Sequence, residues 1–140
     1  MKDMNIPVGV SDFEKIRNGG FYYIDKSGLI TRILKEKAEV TLIARPRRFG
    51  KTLGMSMLES FFDIRKDSRK LFDGLEIAEN QALCDEWMNQ YPTVSISFRQ
   101  IDGLNFMDAY RQLVYEIALL YQKHTYLLDS QAKISFSADK

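Results

Sequence analysis

A chain of 140 residues with 45% apolar and 12% aromatic side chains has the length of one domain and a globular composition, which excludes the disordered class. Lysines and arginines number 20 against 19 aspartates and glutamates, a net charge of +1, so no global field selects nucleic acid or an anionic membrane and any basic recognition must be local. The single Cys84 allows no intrachain disulfide, His124 has too few companions for a zinc site, and neither a signal peptide nor a membrane-spanning run is present, which together predict a soluble, cytoplasmic protein without membrane contact.

Residues 1–20 contain Pro7, Gly9, Asn18, Gly19 and Gly20 around one apolar and charged stretch, Phe13 to Arg17, and read as an extended arm ending in a turn. Phe21 to Ile24 reads as a short strand. Asp25 then caps a helix from Lys26 to about Lys37, with Leu29, Ile30, Ile33 and Leu34 on the face expected to meet a sheet. Val40 to Ala44 has the apolar run of a strand buried on both faces of a parallel sheet, and Pro46 ends it. From Gly50 the spacing of Leu53, Met57, Leu58, Phe61 and Phe62 predicts a helix. Its far end carries Arg65, Lys66, Arg69 and Lys70, read as a solvated cluster that complements the helix dipole.

Residues 71–91 are mixed, with a short helix about Ala82 to Met88, and Trp87 and Tyr91 read as packing residues. Thr93 to Phe98 alternates polar and apolar side chains and predicts a second strand. Asn105 caps an amphipathic helix to about Lys123, with Phe106, Tyr110, Leu113, Val114, Ile117 and Leu120 on its apolar face. The predicted architecture is α/β, a parallel sheet with flanking helices. It is one domain over residues 1–140, in which 1–24 form the arm and short strand and 25–140 carry the two strands and their helices.

The chemistry concentrates in Arg45-Pro46-Arg47-Arg48-Phe49-Gly50-Lys51-Thr52, between a predicted strand and a predicted helix. That is the context of a phosphate-binding P-loop. Gly50 lets the backbone approach an anion closely, and free amides at the helix start donate to phosphate oxygens. Lys51 would supply a point charge to the β- and γ-phosphates, and the Thr52 hydroxyl would serve Mg²⁺ bridging the same oxygens. Arg45 stands where the common pattern has glycine, and Pro46 biases it toward extended backbone. Arg47 and Arg48 are then extra phosphate donors or rim charges. The bland reading, a helix start with solvated arginines, requires strand, loop and helix to coincide by chance. A rival of another class is a nucleic-acid or protein interaction module that uses the basic loop Arg45 to Arg48 on a phosphodiester backbone.

Gly9-Val10-Ser11-Asp12-Phe13, then Tyr23-Ile24-Asp25-Lys26-Ser27 with Leu29-Ile30, then Arg45 to Thr52 with Leu53 and Met57-Leu58, resemble the AAA-ATPase-like family of bacteria and archaea. The family loop reads Arg-Pro-Arg-Arg-Phe-Gly-Lys-[Ser/Thr], so Arg45 is its normal residue. The resemblance implies ATP binding with Mg²⁺, and it suggests that Asp25 and Lys26 lie near the nucleotide as accessory residues, beside the simpler reading of Asp25 as a helix cap. It also implies a longer protein. Many members continue into a PD-(D/E)XK nuclease-like domain, which would bring nucleic acid as a partner.

Turnover by such ATPases uses an apolar strand ending in an acidic pair to hold Mg²⁺ and activate water. Phe21 to Asp25 precedes the loop and lacks the second acid, and Tyr126 to Asp129 is shorter still. The expectation is therefore the N-terminal part of an ATPase domain that binds nucleotide without turnover of its own, with no catalytic residue assigned.

Overall fold

The structure, a computed structural model, describes residues 5–44, 46, 50–99 and 101–129. Its elements are α1 (Phe13–Asn18), α2 (Gly28–Glu36), α3 (Lys51–Phe62), α4 (Arg69–Phe72), α5 (Gln81–Trp87) and α6 (Phe106–Lys123), with 3-10 turns at Glu76–Glu79 and Thr125–Leu127. They fall into two units that divide between Thr93 and Val94. No helix among the described residues is long and apolar enough to cross a membrane.

The α/β expectation is overturned, because the described residues contain no strand and no parallel sheet. The fold is mostly helical. Among the described residues, backbone pairing of the β type is confined to an isolated parallel bridge between Asp63 and Tyr91. The residues of Val40 to Ala44 and Thr93 to Phe98 suit strands, but a strand exists only as part of a ladder. Here Val40 is 84% and Leu42 88% exposed, where burial on both faces was expected. Phe21 to Ile24 likewise forms no strand, and the expected arm is interrupted by α1.

α1 forms because Asp12 caps it, its carboxylate accepting the Lys15 amide at 3.1 Å, while Phe13 and Ile16 turn inward to full burial. So short a helix depends on its neighbours. The Phe13 amide donates to Ser56 Oγ of α3 at 3.0 Å, Ser60 Oγ donates to Glu14, and Lys66 pairs with the same carboxylate. Arg17 reaches across to the carbonyls of Leu71 and Asp73 at 2.6 and 2.7 Å, satisfying acceptors at the end of α4. Three of the four cations after α3 are engaged in pairs, Lys66 with Glu14, Arg65 with Asp63 and Arg69 with Asp85.

The core of the first unit is aromatic. Phe72 packs against Phe13 at 4.9 Å between ring centroids and edge-on against Phe61 at 5.3 Å, with Ile30, Met57 and Ile77 buried around them. Trp87 stacks on Tyr91 at 5.0 Å and packs partly against this core, in agreement with a packing role. The end of α3 is closed by Asn89, whose backbone is left-handed (φ 57°). Its amide nitrogen donates to the carbonyls of Ser60 and Asp63, and its oxygen accepts the Ser68 amide.

The second unit centres on α6, capped as expected by Asn105, whose oxygen accepts the Asp108 amide at 3.0 Å. None of the residues of α6 is fully buried.

Candidate functional site

Two helix starts build the site. At α3, Gly50 has a left-handed backbone (φ 74°) that side chains rarely adopt, and its carbonyl accepts the Gly54 amide at 2.8 Å to close the first turn. The amides at the beginning of that turn have no intrahelical acceptor, and the helix dipole makes this end positive. Lys51 and Thr52 stand exposed on it.

At α2, Asp25 and Ser27 fix the chain to the turn at Glu76–Glu79. The Asp25 carboxylate accepts the Ser27 amide at 2.8 Å and the Glu76 amide at 2.7 Å, and the buried Ser27 hydroxyl accepts the Ile77 amide at 3.1 Å. Burial works to raise the pKa of Asp25, but the amides of Glu76 and Ser27 outweigh it and hold the carboxyl below its ordinary range. Just before this anchor, Tyr23 donates its hydroxyl to Met57 Sδ at 3.3 Å, and burial pushes its phenol above the usual value.

Lys26 lies between these fixed points. A Cβ built on Gly50 would sit 3.5 Å from the Lys26 ammonium, so the two helix starts converge on one another. The space they frame is a cavity of about 500 Å³ lined by Lys26, Arg32, Gly50 and Lys51, with Gly54 beside them. Its other walls are mainly apolar, from Leu29, Ile43, Met55 and Met57. The described lining carries three cations and no carboxylate, although Arg32 also pairs with Glu36 at 2.8 Å on the surface. Such a set suits an anion with an apolar part.

Of the residues singled out from the sequence, Gly50, Lys51 and Lys26 meet at this cavity. Thr52 sits in the first turn of α3 outside the lining, Pro46 is exposed, and Asp25 is bound to backbone amides. Arg45, Arg47, Arg48 and Phe49 lie outside the described residues. Arg32, Gly54 and Met55 were not anticipated, and Leu29, expected to face a sheet, lines the cavity instead. Position in a helix is visible in a sequence, but which helix face meets a neighbouring loop is decided by packing.

A family model described as a predicted AAA-ATPase matches residues 7–138. The chain belongs to this predicted AAA-ATPase family. It is also 33% identical over 99 residues to an uncharacterized protein in the vnfD 5' region of Azotobacter chroococcum mcd 1. That alignment covers 70% of this chain and 18% of the relative, so the chain spans a small part of the relative's length. No solved structure matches the chain.

Proposed function

We propose that this chain binds a nucleoside triphosphate, ATP by preference, in the cavity where α2 and α3 begin. In this reading the first-turn amides of α3 and the Lys51 ammonium hold the phosphates, and Lys26 adds a second ammonium. The Thr52 hydroxyl would help hold Mg²⁺, which would neutralise phosphate charge.

The observation that carries the reading is the convergence of Lys26 with Gly50 and Lys51 on one cavity of about 500 Å³, within the range of small-ligand sites. The helix dipole and three cations favour a polyanion, and the apolar walls favour a ligand that also carries a ring. The same set describes binding more directly than hydrolysis, because the described lining offers no carboxylate to act as a general base.

Calorimetric titration with ATP·Mg²⁺ tests the assignment. Lys51→Ala removes a charge-assisted contact worth about 1.5–3 kcal/mol, so affinity falls by about 10- to 100-fold. Equal affinity in wild type and variant would refute it. Parallel titration with a DNA oligonucleotide separates the rival reading. Steep salt dependence together with indifference to ATP would move the basic loop to a nucleic-acid backbone.

A further inference from the structure

Gly54 occupies the first half of a twelve-residue helix. A glycine inside a helix is unfavourable relative to alanine, because it loses more backbone freedom on folding. Packing among the described residues supplies no reason for it. A Cβ built on Gly54 meets no described atom within 4 Å, in contrast to Gly28, where it would come within 2.9 Å of the Glu76 carboxylate. Nor does the backbone require it, since Gly54 is not among the glycines with positive φ. What distinguishes the position is that it lines the cavity, one turn beyond Gly50 on the same helix.

We infer that Gly54 is a specificity position that keeps α3 bare so that the pentose of a nucleotide can lie against the helix. The inference rests on the nucleotide reading and refines it. Phosphates held at Gly50 and Lys51 leave the rest of the ligand to pass Gly54 at about 6 Å along the axis, the rise of four residues. A pyrophosphate and its ester oxygen span that interval, which brings the sugar to the glycine. Beyond it the walls from Leu29, Met55 and Met57 suit the base. Inorganic tripolyphosphate would end before reaching Gly54, so a side chain at this position would exclude a nucleotide and spare the bare tripolyphosphate.

The test compares ATP·Mg²⁺ with inorganic tripolyphosphate·Mg²⁺ by calorimetry, on wild type, Gly54→Ala, Gly54→Leu and Lys51→Ala, alongside thermal unfolding. Gly54→Ala should raise the ligand-free unfolding midpoint by about 3 °C through helix propensity. It should lower ATP affinity by about tenfold or more, through a methyl group forced into occupied space. Gly54→Leu should abolish ATP binding, and both variants should keep the tripolyphosphate affinity of wild type, whereas Lys51→Ala loses both ligands. Unchanged ATP affinity in Gly54→Leu, or equal loss of the two ligands in Gly54→Ala, would overturn the pentose assignment while leaving the phosphate site standing. A wild-type chain that binds neither ligand would overturn the nucleotide reading and this inference with it. A lowered midpoint in Gly54→Ala would show that packing requires the glycine.

Discussion

Asn89 connects more of the first unit than any residue the sequence pattern had marked, and replacing it with alanine should be among the most destabilising single changes there. Its side chain makes three hydrogen bonds, to Ser60 O at 3.1 Å, to Asp63 O at 2.9 Å and from Ser68 N at 2.9 Å, all partly buried. At about 1 kcal/mol each these contribute about 3 kcal/mol. Alanine at φ 57° adds about 1 kcal/mol, since a Cβ crowds the carbonyl in the left-handed region. The sum of about 4 kcal/mol is a large part of the stability of a small domain. Urea unfolding at neutral pH, followed by tryptophan fluorescence, measures it directly, because Trp87 lies two residues away and stacks on Tyr91. Asn89→Gly separates the two contributions: it keeps the backbone conformation, loses the three bonds, and should fall about 1 kcal/mol short of the alanine variant. If both variants stay within about 0.5 kcal/mol of wild type, the change has the size of an ordinary surface substitution, and Asn89 does not close α3.

Acid should unfold the first unit through Asp63, which is fully buried. Burial works to raise its pKa, but the Arg65 guanidinium and the Arg65 amide prevail and hold it below the ordinary carboxylate range. A lowered folded value means that this stabilisation is complete above about pH 4 and is lost as pH falls through the folded pKa. Urea midpoints in wild type should therefore stay level from pH 7 to 5 and drop below pH 4, with a shallower drop in Asp63→Asn; parallel acid limbs would exclude the contribution. Thr52→Ala should weaken ATP binding when Mg²⁺ is present and leave binding in EDTA almost unchanged, because the hydroxyl serves the metal. Equal loss in both conditions by calorimetry would remove Thr52 from the metal.

The helices were legible where a single apolar stripe spans several turns. Met57 and Phe61 mark α3, Ile30 marks α2, and Asn105 marks the start of α6. These signals are local, and local periodicity survives any tertiary arrangement. α1 was not legible. Its only buried pair, Phe13 and Ile16, fills less than one turn between glycines and a proline, and what holds it is Ser56, forty-three positions away from Phe13. Asn89 was equally invisible, since an asparagine between a helix and a loop looks like any turn residue until the carbonyls it closes are known. In the site, Gly50 and Lys51 were readable because the P-loop pattern is contiguous. Lys26 entered through its place in the family pattern, while Arg32 and Gly54 join the cavity only through the packing of α2 beside α3.

Val40 to Ala44 shows why the sheet could not be read from composition. β-branched and apolar side chains make a segment fit for a ladder, but a ladder needs a second segment in register, and that partner is not encoded in the run itself. The exposure of Val40 and Leu42 is the direct sign that no such partner meets them among the described residues. Ile43 behaves differently. It is half-buried and lines the cavity beside Gly50 and Lys51, while the residues on either side of it are exposed. In this structure Ile43 walls the cavity next to the helix start without the segment forming a strand.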